Sequence, residues 1–134
     1  YVAADLWAEG APEEGRAFAR EVLRIDSDGG HPSERGRVRV MTSNTSFSRG
    51  EYRFNTEYRR DRYIVEQADA LKPVGAGAFA VMRYDDNGRT AGVACDAGGR
   101  TFVMGFPFES LPDSVQRDRL MRDVLRFLLK RNDK

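Results

Sequence analysis

The chain has 134 residues, enough for one domain with a sizeable core and too few for two. Hydrophobic residues make up 40% and charged residues 32%, and 22 basic against 21 acidic side chains leave a net charge of only +1, without the basic excess of a general nucleic-acid binder. A single cysteine, Cys95, and a single histidine, His31, exclude an internal disulfide, a multi-cysteine metal site and most catalytic triads.

In chain order, Val2 to Trp7 reads as helical and Gly10-Ala11-Pro12 interrupts it. Pro12 suits the first turn of a new helix, with Glu13 and Glu14 at its positive end. Phe18, Val22, Leu23 and Ile25 then recur at helical spacing and predict one apolar stripe. Residues 26–36, rich in Asp, Ser, Gly and Pro, read as a loop.

The middle of the chain changes period. Val38 and Val40 alternate with Arg37 and Arg39, as in a half-buried strand, and Tyr52 alternates with Phe54 in the same way. Residues 63–65 form another short apolar run. Ala78 to Tyr84 and Ala91 to Cys95 flank Asp85-Asp86-Asn87-Gly88, and Asn-Gly is a strong hairpin signal. Ala97-Gly98-Gly99 marks a second turn, leading into a buried strand over 101–105. The clearest element is a helix from Asp113 to Lys130, with Val115, Leu120, Met121, Val124, Leu125 and Leu128 as its expected buried face and Arg119, Arg122, Asp123 and Arg126 largely opposite. The longest apolar runs, such as 101–108, are strand-sized and far below the roughly 20 residues of a membrane span. No charged start followed by an apolar run is visible, so no signal peptide is expected within this piece. Opening on Tyr1, the chain reads as a segment of a longer protein.

Three stretches carry a resemblance: Glu14-Gly15-Arg16-Ala17-Phe18-Ala19, Tyr52-Arg53-Phe54-Asn55-Thr56-Glu57 and Met104-Gly105-Phe106-Pro107-Phe108-Glu109. Together they resemble the C-terminal part of a glutamine-amidotransferase-like, flavodoxin-type domain of Bacteroidetes proteins labelled xanthan lyase or xanthan-lyase-like. The resemblance implies an α/β fold, a mixed sheet flanked by helices with antiparallel hairpin strands in the middle of the chain. It also implies an exported, carbohydrate-related parent that is periplasmic, secreted or on the cell surface. In active amidotransferases a strand ends in a Gly-Val-Gln-Phe-His-Pro-Glu-like pattern that supplies the base and its orienting acid. Here Glu109 stands where the acid would stand, no histidine precedes it, and Tyr1-Val2-Ala3-Ala4 holds no nucleophile.

The remaining candidates are binding residues. Tyr58, Arg59, Arg60 and Arg62, with Tyr63, interleave basic and aromatic groups, which suits an acidic sugar chain, arginine forks taking the carboxylate and tyrosine stacking on a ring. The plainer reading is a solvated turn. Glu109 joins this ligand-binding set on the strand-to-helix step at 105–110, where ligands sit in open α/β sheets, or else caps the helix. Cys95 falls in an apolar strand and reads as an inert buried thiol. Asp26-Ser27-Asp28-Gly29-Gly30 opens like a calcium loop, but Arg37 occupies the place of the closing acid, so no EF-hand is present. Asn44-Thr45-Ser46 fits a glycosylation sequon.

The sequence thus predicts a non-catalytic α/β module with a degenerate amidotransferase-like site, no cofactor and no metal. Its expected partners are acidic polysaccharide or neighbouring domains of the same protein, with no nucleic acid and no membrane span. The alternative is a fragment of a lyase or hydrolase whose active site is completed upstream of Tyr1.

Overall fold

The computed structural model describes residues 7, 10–29, 33–58, 60, 61, 64, 65 and 68–130. The expectations for Val2 to Ala4, His31 and Tyr63 lie outside these residues. Pro12 caps α1 (Glu13–Phe18), whose first turn carries Glu13 and Glu14 as expected. A π-helical turn over Ala19–Leu23 follows and ends on Arg24, which has a positive φ of 59°. Seven strands come next: β1 (Ile25–Ser27), β2 (Arg37–Val40), β3 (Gly50–Arg53), β4 (Leu71–Pro73), β5 (Ala78–Tyr84), β6 (Thr90–Cys95) and β7 (Thr101–Met104). A short 3₁₀ turn, Phe108–Ser110, leads to α2 (Ser114–Leu129).

All seven strands form one sheet in the order β1-β4-β6-β5-β2-β3, with β7 on the same side of β6 as β4, and every pairing is antiparallel. This overturns the helix-flanked flavodoxin or amidotransferase-like α/β fold. Parallel neighbours need a crossover of a dozen or more residues, usually a helix, and between β1 and β7 the described chain contains no helix. Turns and longer connections join the strands instead, and the Asn87-Gly88 turn between β5 and β6 is a hairpin as its sequence predicts. The loop expected over 26–36 begins later, since Asp26 and Ser27 pair with Lys72 and Leu71.

Two apolar clusters hold the layers together. The larger lies between α2 and the sheet and joins Leu120 and Phe127 to Phe47, Val81, Met82 and Tyr84. Phe47 links the layers, its ring 5.5 Å from Phe102 and 5.3 Å from Phe127. The smaller cluster sits on the other face, where Ala19 and Leu23 cover Ile25, Leu71, Val93 and Val103. Each expected apolar stripe is buried only in part. Leu23 and Ile25 pack into the smaller cluster, while Phe18 and Val22 are half-exposed. On α2 Leu120 is buried and Val124 packs against the core as expected, but Val115, Met121, Leu125 and Leu128 are exposed, and Asp123, expected on the solvated side, is buried with Phe127.

The 105–110 step is a packed corner rather than a crevice. Phe106 stacks on Phe54 at 4.9 Å between centroids, Phe108 packs against the core and Glu109 is exposed. A Cβ at Gly105 would collide with the Asp69 carbonyl oxygen and the Tyr84 hydroxyl. Only glycine passes here.

Candidate functional site: an arginine groove

Strand alternation puts Val38, Val40 and Tyr52 into the core and turns Arg37, Arg39, Glu51 and Arg53 outward. On β5 the exposed Arg83 joins them. α2 packs on the inner face of β2 and β3, and neither helix joins a cluster on the opposite face there, so the outward side of β5, β2 and β3 is charged and open.

Register decides which charges are matched. Arg39 lies opposite Glu51 on one side and Arg83 on the other. Its Nε is 3.0 Å from the Glu51 carboxylate and 2.9 Å from Asp85, so it is neutralised twice. Arg83 donates to the Gly88 carbonyl at 3.1 Å. One row along, Arg37 faces Arg53. The neighbouring residues Gly36 and Phe54 share a backbone hydrogen bond of 2.8 Å, so the Arg37–Arg53 position is of the non-hydrogen-bonded kind, where opposed side chains come closest. Like charges directly opposite are destabilising. Neither guanidinium has an ion-pair partner among the described residues.

These two arginines line a groove of about 490 Å³ together with Arg35, Asn55, Thr56 and Pro112, and Glu34 and Glu57 stand on its walls. Two local features shape it. Gly36 has a φ of +64°, and a Cβ there would stand 2.5 Å from the Phe54 carbonyl oxygen, so glycine alone lets the start of β2 press against the end of β3. Asp86, at the β5–β6 turn, accepts from the Ser33 hydroxyl and the Glu34 N–H, each at 2.9 Å, and thereby pins the loop carrying Glu34 and Arg35. Desolvation pushes the Asp86 carboxyl up, but the hydrogen bonds from Ser33 and from the backbone N–H groups of Glu34, Asp86 and Arg35 outweigh it and hold it below the usual aspartate range.

Comparison with models of known protein families, with curated proteins and with solved structures finds no significant match for this chain. Its own geometry carries the reading.

Of the binding residues expected from sequence, Arg59 and Arg62 lie outside the described residues. Tyr58 is 81% exposed and follows Glu57 at the groove wall, and Arg60 is exposed two residues further on. Glu109 stands apart on its own turn. Arg35, Arg37 and Arg53 were the residues that sequence reasoning passed over. The alternation of Arg37 and Arg39 with Val38 and Val40 was visible, but only cross-strand register shows which outward arginine meets another arginine.

Other candidates are accounted for structurally. Cys95 is fully buried, its Sγ 3.7 Å from the Ala97 carbonyl oxygen. Asp28 pairs with Arg89 at 3.0 Å and Asp26 with Arg20 at 3.5 Å, so the calcium-like loop is tied up in ion pairs. Among the described residues no three His, Cys, Asp or Glu side chains are grouped to hold a metal, and no helix is long and apolar enough to cross a membrane. The Asn44 side chain accepts from the Ser46 N–H at 2.9 Å and closes a local turn.

Proposed function

We propose that this domain is a non-catalytic binding module whose arginine groove takes an acidic oligosaccharide. The opposition of Arg37 and Arg53 carries the reading: two arginines directly across from each other, neither in an ion pair among the described residues, offer forks for a carboxylate supplied by a ligand. The rest of the groove points to a ligand that is sparsely charged and rich in hydroxyls. Glu34 and Glu57 accept hydrogen bonds from hydroxyls and repel a densely charged polyphosphate, while Asn55 and Thr56 both donate and accept. Tyr58, exposed beside the groove wall, offers a face for a sugar ring. The shut-in thiol of Cys95 favours binding over nucleophilic chemistry. An exported parent protein enters this reading through the sequence resemblance alone.

Titration with a uronate oligosaccharide and with its neutral counterpart, followed by amide chemical shifts, tests the proposal. The acidic chain should shift Arg35, Arg37 and Arg53 and the neutral one should not. Arg37→Ala and Arg53→Ala should each weaken binding about tenfold, the scale of one lost charged hydrogen bond. Equal binding of both sugars, or no change in the variants, ends the reading.

A further inference from the structure

The outward face of β2 continues beyond the arginine groove. Val38, Val40 and Thr42 are buried while Arg39, Met41 and Ser43 are exposed, so strand alternation holds as far as Ser43. The Met41 N–H donates to the Val81 carbonyl at 2.9 Å, which keeps this stretch in line with β5. Arg37, Arg39 and Met41 therefore stand in one row along the strand, roughly 7 Å from one to the next. Two concavities of about 400 and 160 Å³ flank Arg39, one toward β3 and one toward β5, and Met41 borders both.

The charge changes along this row. At the groove Arg37 and Arg53 have no ion pair among the described residues. The next step is balanced, with Arg39 and Arg83 set against Glu51 and Asp85. Beyond it Met41 is 65% exposed and offers an apolar surface. Arg49, just before β3, is exposed and again without an ion pair among the described residues. A Cβ on Gly50 would stand 3.2 Å from the Arg119 guanidinium of α2, so alternation turns Arg49 outward with Glu51 and Arg53. Four residues of extended strand set Arg49 roughly 14 Å from Arg53.

We propose, resting on the reading of the groove as an acidic-sugar site, that the ligand runs on along β2 past Arg39 to Met41, and that neutral sugars separate its acidic ones. One carboxylate takes Arg37 and Arg53. A second acid in the adjoining position would meet Glu51 and Asp85, which already hold Arg39, so this step rejects it. A neutral ring finds donors and acceptors for its hydroxyls there, and its C–H face packs on Met41. The next acid then reaches Arg49, a distance that more than one sugar ring must bridge.

Calorimetric titration with three probes tests this: a disaccharide and a hexasaccharide of alternating glucuronate and N-acetylglucosamine, and a hexamer of galacturonate alone. The alternating hexasaccharide should bind about tenfold or more tightly than its disaccharide, and more tightly than the galacturonate hexamer. Met41→Ala and Arg49→Ala, both at exposed positions, should weaken the alternating hexasaccharide several-fold and leave the disaccharide unchanged, whereas Arg37→Ala should weaken both. A disaccharide that needs Arg37 but gains nothing from added length leaves the groove reading standing and overturns the extension along β2. So does a hexasaccharide that neither Met41→Ala nor Arg49→Ala weakens, and a galacturonate hexamer that binds as well as the alternating chain overturns the spacing. If none of the three binds, the groove reading falls and the extension falls with it.

Discussion

The Nε of Arg119 donates to the Tyr52 hydroxyl at 3.1 Å, and its guanidinium carbon lies 4.5 Å from the centroid of the same ring. The other end of the fork donates to the Glu51 carbonyl at 2.9 Å, and one turn earlier Gln116 accepts the Arg53 N–H at 3.0 Å. Two side chains of α2 thus occupy backbone groups that point outward from β3, the edge strand of the sheet. Bare edges invite pairing with other chains, and here the helix closes one. Arg119→Ala should destabilise the domain by about 1–3 kcal/mol, from a charged hydrogen bond and a cation–π contact. It should also raise light scattering on storage. Arg119→Lys should recover only part, since an ammonium cannot span both acceptors. An unchanged denaturation midpoint in Arg119→Ala would show that the clamp contributes nothing.

Tyr52 itself links stability to pH. Burial raises its phenol above the ordinary value of 10.0, the Arg119 hydrogen bond and charge pull it back, and Asp123 adds to the rise. The folded state therefore holds this proton where the unfolded chain releases it. The contribution is fully present below about pH 10 and is lost as pH climbs through the folded value. Denaturation midpoints should stay flat in this respect up to that point and then fall. Tyr52→Phe should lower stability at neutral pH, where Arg119 loses its acceptor, and reduce the alkaline fall. A fall of equal steepness in that variant would assign it to other groups.

The periodicity of α2 is legible in sequence as a helix but not as a face. Met121, Leu125 and Leu128 form the more conspicuous apolar set, while the buried set of Leu120, Asp123 and Phe127 is interrupted by an acid. Asp123 is buried because the Ser48 N–H reaches it at 2.8 Å and the Ser48 hydroxyl at 3.3 Å, a tertiary arrangement that hydrophobic spacing cannot register. Leu120→Ala should cost about 2–5 kcal/mol and Phe127→Ala about 3–5, whereas Leu125→Ala should stay within about 0.5 kcal/mol. Chemical denaturation at low protein concentration separates them. Similar losses for Leu120→Ala and Leu125→Ala would contradict the packing described for α2.

Strands declared themselves unevenly. β2, β3, β5, β6 and β7 alternate or run apolar, and Asn87-Gly88 and Gly98-Gly99 punctuate them. β1 and β4 have three residues each, carry Asp26 and Lys72, and owe their pairing to one another more than to propensity. The helix-flanked mixed sheet is what helical patterns at both ends of the chain suggest, as does the resemblance in three short stretches, of which those around Phe54 and Phe106 stack together as core rather than mark a site. The groove stayed hidden for a related reason. Arg37 and Arg53 are 16 positions apart and become one feature only through the β2–β3 register.

Gly36 gives that register a sharp test. With a φ of +64° and the Phe54 carbonyl oxygen where a Cβ would go, alanine must either strain the backbone or push β3 away. Gly36→Ala should destabilise the domain by well over the roughly 0.5 kcal/mol expected of an ordinary surface change and weaken ligand binding at the same time. The pairing of Arg37 with Arg53 depends on the same close approach. Retained affinity in a folded Gly36→Ala protein would separate the groove from this junction.

Asp86 is the remaining support of the groove, and it reaches the 33–35 loop across more than 50 residues of sequence. Its two oxygens accept from different donors, the Ser33 hydroxyl and the Glu34 N–H, and an amide in its place keeps only one acceptor. Because the folded carboxyl titrates below its ordinary value of 3.8, the unfolded chain binds the proton first as pH falls. The anchor is therefore fully present above that value and is lost as pH drops through the folded one. Asp86 is exposed, so the effect on global stability should be small. The effect on the loop should be clear: Asp86→Asn should broaden or shift the amide signals of Glu34 and Arg35 at neutral pH and lower affinity for an acidic oligosaccharide, with little change in the unfolding midpoint. Acidifying the wild type below about pH 4 should bring its loop signals toward those of the variant. Loop signals that stay put in Asp86→Asn would mean that Gly36 and the strands alone hold Arg35 at the groove.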